Sequence, residues 1–80
     1  MNESVQQIIG ILHEISEDEC ISNGVKSKIL QSLETMNKEI DVSVKANKVL
    51  DELGSLLESS RIDTYVRTQL WSVTSLLETL

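Results

Sequence analysis

His13 and Cys20 are the chain's one histidine and one cysteine, and acids stand near them at positions 14, 17, 18 and 19. Those residue types could do three kinds of chemistry. His13 with Glu17 one helical turn on is part of a metal site, but zinc takes four ligands, or three plus water, from Cys, His and carboxylate. No second soft ligand stands at helical spacing from His13, so the pattern predicts a surface or rim histidine and no metal. Cys20 is nucleophilic only as a thiolate, and its neighbours Asp18 and Glu19 disfavour that form. A His13–Cys20 dyad would need the connecting loop to fold back, so the expectation is a partly buried, inert thiol. Glu14, Glu17, Asp18 and Glu19 lack the alternating oxygen ligands and turn glycine of a calcium loop and read as a solvated helix end. No phosphate-binding glycine loop, Ser–His–Asp set or dinucleotide fingerprint occurs. The expectation is a chain with no catalytic residues, no cofactor and no metal, and not an enzyme.

Tyr65 and Trp71 are the two aromatic residues, both near the end of the chain. Trp71 borders an apolar stripe, and that position predicts core packing. The alternative is an anchor for a partner, since tryptophan and tyrosine are enriched among residues that dominate interfaces.

The elements that must position these side chains are helices. Val66, Leu70, Val73, Leu77 and Leu80 recur at i, i+4, i+7, i+11 and i+14, one side of an α-helix, widened by Trp71 and Leu76. Such a helix is not stable alone, so the rest of the chain must supply its groove. Val5, Ile8, Ile9, Leu12 and Ile15 form a stripe on a first helix capped near Asn2 or Ser4. Within that helix Gly10 is expected to let another backbone come close. A second helix carries Ile29, Leu30, Leu33 and Met36, and a third carries Ala46, Val49, Leu50, Leu53, Leu56 and Leu57.

One hexapeptide occurs three times: ISNGVK at 21–26, IDVSVK at 40–45 and IDTYVR at 62–67. Its second residue is a good N-cap, and Ile outside the cap with Val inside can close over the turn. Each copy therefore marks a helix start. The base that ends each copy faces the positive end of the helix dipole, unfavourable by ~0.3–1 kcal/mol. Pairs such as Asp41–Lys45 and Asp63–Arg67 would recover part of that, and Lys26, Lys45 and Arg67 are expected to reach acids on neighbouring helices. The first and third copies lie 41 residues apart, within the period of HEAT-type helix pairs. Two pairs are too few for a solenoid, so closing them face to face is the economical solution. The expected architecture is all-α, a compact up-and-down four-helix bundle of two similar helix pairs with HEAT-like helix starts. Its helices run near 3–16, 23–38, 42–58 and 64–79, and residues 1–80 make a single domain.

Charge narrows the function classes. The net −6 divides into −5 over residues 1–24, +2 over 25–48 and −3 over 49–80. That balance gives no electrostatic case for nucleic acid, whose binding rests on neutralising phosphates, or for an anionic membrane surface. No apolar run is long enough to span a membrane, and a lone cysteine suits a reducing, cytoplasmic setting.

The run from Val66 to Glu78, VRTQLWSVTSLLE, resembles the C-terminal signature of a family of small archaeal proteins of unknown function. Family members are of similar length and often carry proline where this chain has Ser22 and Asp63. The resemblance implies an archaeal cytosolic protein with a compact four-helix fold. It implies no activity, so no functional residues carry over from it. The function expected is a small protein-interaction or assembly module, self-associating or with an unknown protein partner, with Trp71 and Tyr65 as possible anchors. The alternative is a regulatory bundle with a small-ligand pocket between helices.

Overall fold

The computed structural model describes residues 3–59 and 62–80. They form α1 (Glu3–Ser16), α2 (Asn23–Met36), α3 (Val42–Leu57) and α4 (Thr64–Glu78), with no strand among them. The bounds fall within two residues of those expected. Asn2, one of the two candidate caps of the first helix, lies outside the described residues, as do Ser60 and Arg61 between the third and fourth helices. Ser4 is inside the first turn of α1 and does not cap it.

The helices close a ring: α1 packs on α2, α2 on α3, α3 on α4 and α4 on α1, and the diagonal pairs stand farther apart. Short connections fold each helix back on its predecessor, which gives the up-and-down bundle. Its long dimension is 31 Å. One core fills the ring, built from Ile8, Leu12 and Ile15, then Val25, Ile29 and Met36, then Ala46, Val49, Leu53 and Leu56, then Val66, Leu70, Val73 and Leu77. Ile62, just before α4, joins it beside Ile21, Val25 and Val66. The stripe of α4 is the expected one, with Leu80 partly buried at its end.

The three hexapeptide copies do begin helices. Ser22 Oγ accepts from the Val25 N–H at 3.3 Å, and Asp63 Oδ1 accepts from the Val66 N–H at 2.8 Å. Asp41 Oδ1 instead accepts from the Ser43 N–H at 3.0 Å and from the Ser43 hydroxyl at 3.1 Å. The middle copy departs in its packing too: Val25 and Val66 are buried, whereas Val44 is 46% exposed. One turn after Val25 and Val66 come the core residues Ile29 and Leu70, but one turn after Val44 comes the exposed Lys48. The apolar stripe of α3 starts at Ala46, so Val44 falls outside it.

Three further expectations are corrected. A Cβ added at Gly10 would meet no atom of the described residues within 4 Å, so no backbone among them comes close to that glycine. Leu30 is 48% exposed, and the central core position of α2 goes to Ser32, one turn from both Ile29 and Met36. The bases of the repeats do not reach acids. Among the described residues the one acid–base contact within 4 Å joins His13 Nδ1 to Glu17 Oε1, at 3.0 Å, an ion pair only when the imidazole is protonated. Asp41 and Asp63 spend their carboxylates on caps. Arg67 turns to α3, where Nη1 donates to the Leu57 carbonyl at 2.7 Å and Nη2 to the Ser59 carbonyl at 2.9 Å. A helix leaves its last carbonyls without intrahelical partners and carries partial negative charge there, so the cation is favoured at the end of α3.

Candidate interaction surface

The residues that could have done chemistry are not brought together. His13 lies on the exposed side of α1 with Glu17 as its partner. Cys20 is exposed rather than partly buried. Its backbone N–H donates to Asp18 Oδ1 at 2.8 Å in a tight turn, while Ile21, the next residue, packs against the core. Glu14, Glu17 and Glu19 face solvent. Among the described residues no three His, Cys, Asp or Glu side chains gather closely enough to hold a metal ion. No helix there is long and apolar enough to cross a membrane.

Among the described residues a small pocket of about 80 Å³ opens beside Cys20, Ile21, Val25, Ile62 and Val66, and two wider grooves cut the surface. One of about 450 Å³ runs between α2 and α3, lined by Gln31, Glu34, Thr35, Lys38, Lys48, Asp51 and Glu52. The other, about 500 Å³, lies where α1 begins and α2 turns into α3, with Val5, Ile9, Met36, Ile40 and Val42 among its lining. The first is polar and mixed in charge; the second has an apolar floor with Lys38, Glu39 and Lys45 at its rim.

Trp71 is 55% exposed and Tyr65 is 50% exposed. The core position expected for Trp71 is therefore corrected, and helix geometry gives the reason. At about 100° per residue, Trp71 sits about 130° around α4 from the centre of the Val66, Leu70, Val73 and Leu77 stripe. Tyr65 sits about 110° away on the opposite side. The two aromatics thus flank the outer face of α4, and the Tyr65 hydroxyl accepts from Gln69 Nε2 at 3.2 Å.

What lies between them is unusual for this chain. From Thr64 to Leu77 the exposed positions of α4 are Thr64, Tyr65, Thr68, Trp71, Ser72 and Ser75, none of them charged. The one charged residue in that span is Arg67, which is half-buried and engaged with α3. By contrast Glu3 and Glu14 stand on the exposed side of α1, Lys26, Lys28 and Glu34 on that of α2, and Lys48 and Asp51 on that of α3. A quarter of the chain is charged, so a helix face about 20 Å long without one exposed charge is a distinct surface. Depletion of charge with aromatic enrichment is the composition of interface cores. The expectations from sequence named Trp71 and Tyr65 but not the run 64, 68, 72 and 75 between them. The signal was present in those four hydroxyl residues at helical spacing, opposite the apolar stripe.

Comparison with known proteins gives a fold and a family and no activity. The chain is 28% identical over 80 residues to a "UPF0147 protein" of Methanothermobacter thermautotrophicus, covering 99% of this chain and 78% of that one. Its fold superposes on the crystal structure of the unknown-function protein MMP1188 with a TM-score of 0.91, at 24% identity, over 98% of this chain and 90% of that one. That likeness carries the four-helix fold alone. The model of the family described as an uncharacterised protein family, UPF0147, matches residues 1–80, and the chain belongs to that family.

Proposed function

We propose that this protein is a non-catalytic interaction or assembly module that docks through the outer face of α4. The observation that supports this reading is Trp71, more than half exposed on a helix whose apolar stripe is already buried without it. A half-exposed aromatic contributes little to the bundle and can contribute much in an interface. A reducing, cytoplasmic setting suits Cys20, a free and exposed thiol. The experiment is to pass lysate over immobilised wild-type protein and Trp71→Ala, with helicity of both recorded by circular dichroism. Association, with itself or another protein, should vanish in the variant while helicity is kept. Equal capture by both proteins would refute the anchor.

A second reading takes the apolar groove beside Val5, Ile9 and Val42 as a small-ligand pocket. Its support is the volume and apolar floor of that groove. Melting shifts with metabolites, at unchanged mass, would favour it over docking.

A further inference from the structure

We propose that the outer face of α4 is a two-fold interface at which two copies of this chain meet. The inference rests on the interaction-module reading and names the partner: a second copy.

The absence of charge points to a second copy rather than a foreign protein. In a two-fold interface the same patch serves both molecules, and a residue on the axis faces its own copy. Any charge near the axis therefore meets a like charge, which is costly when desolvated. A foreign partner imposes no such condition, because it can carry complementary charges. The net charge of −6 sharpens the argument, since two copies repel one another over most orientations. The α4 face is where two such molecules can touch without setting like charges together.

The positions of the aromatics fit the same symmetry. Thr68 is three residues after Tyr65 and three before Trp71, and it lies midway between them around the helix. An antiparallel α4–α4 pair with its axis beside Thr68 brings Tyr65 of one copy level with Trp71 of the other on opposite edges of the seam, so the two Trp71 rings share one edge and the two Tyr65 rings the other. The hydroxyl residues Thr64, Thr68, Ser72 and Ser75 are short enough for the two helices to approach between the aromatics. One of their hydroxyls, that of Ser72, already donates to the Thr68 carbonyl at 3.3 Å.

Fifteen residues of helix present a strip about 22 Å long. One such strip buries less than the roughly 800 Å² per partner of a standard interface. The dimer is accordingly weak, and its population depends on concentration.

The test is solution mass by light scattering from micromolar to millimolar protein, on wild type, Thr68→Lys, Thr68→Glu, Trp71→Ala and Ser55→Lys. Ser55 is exposed on α3 and controls for an added charge elsewhere. Wild type and Ser55→Lys should double in mass as concentration rises. Thr68→Lys, Thr68→Glu and Trp71→Ala should stay monomeric with wild-type helicity. An equimolar mixture of the two Thr68 variants should recover the doubled mass, because opposite charges then meet at the axis. A dimer that persists in Thr68→Lys, or a mixture that stays monomeric, overturns the inference. So does a wild type that is monomeric at millimolar concentration. In that last case a lysate protein held through Trp71 would leave the module reading standing with a foreign partner, and capture of nothing would end both.

Discussion

Arg67 on α4 donates to the carbonyl of Leu57, ten residues earlier at the end of α3, across 2.7 Å. With the second bond to Ser59, the planar guanidinium spans two carbonyls and ties the start of one helix to the end of the previous one. Arg67→Met keeps most of the stem but leaves both bonds unmade. It should lower stability by about 1–2 kcal/mol, the scale of hydrogen bonds from a charged donor at a half-buried site. Arg67→Lys should recover only part, since an ammonium cannot reach both carbonyls in fork geometry. Urea midpoints of the three proteins at equal slope measure this.

Gly10 and Gly54 predict the opposite sign. Both lie inside helices, and an added Cβ at either meets no atom of the described residues within 4 Å. Alanine in a helix interior is favoured over glycine by about 0.5–1 kcal/mol, largely through the entropy of the unfolded chain. Gly10→Ala and Gly54→Ala should each raise the thermal midpoint, and the double variant should raise it by close to the sum. A loss of stability at Gly10 would mean that another backbone does come close to α1.

Ser32 is fully buried among the apolar side chains of the core, and its hydroxyl has no hydrogen-bond partner among the described residues. A buried, unsatisfied hydroxyl costs about 1–3 kcal/mol, more than the small void left by removing one oxygen. Ser32→Ala should therefore be neutral or stabilising by about 1 kcal/mol. Ser16, also buried, makes the contrast, since its hydroxyl donates to the His13 carbonyl at 2.6 Å. Ser16→Ala should lose stability, and denaturant curves of the two alanine variants should move in opposite directions.

Much of the bundle was legible in the chain because its helices announce themselves twice, by a cap and by a stripe. Ser22, Asp41 and Asp63 all cap, as their residue types require. Where the two signals disagree, the stripe decides. Val44 follows a good cap, yet with Lys48 one turn on it falls outside the stripe and is exposed. That conflict was readable in advance from residue 48. The role of Arg67 was not, because its partners are backbone carbonyls whose position depends on where α3 stops. Ser32 was hidden for a different reason: a serine at a core position leaves a gap in the apolar pattern, and Leu30 beside it offers a false continuation. The candidate surface was half visible, since two aromatics stand out in a sequence and an absence of charge does not.

Leu70 and Trp71 are neighbours in sequence with opposite surroundings, one fully buried and the other more than half exposed. Leu70→Ala removes core volume from the middle of the ring and should cost about 2–5 kcal/mol, a large share of the stability of so small a protein. Trp71→Ala removes a larger side chain and should cost less than about 1 kcal/mol, within the range of surface substitutions or slightly beyond it. Because Trp71 is the chain's single tryptophan, its fluorescence reports on that one site. At low concentration its emission should already be that of a solvated indole and should shift little as urea unfolds the helices, while circular dichroism records the full transition. At high concentration the native emission should move to shorter wavelength as a second copy covers the ring, and Thr68→Lys should abolish that movement. A blue emission at every concentration, lost together with helicity, would place Trp71 in the core and reverse the order of the two alanine variants.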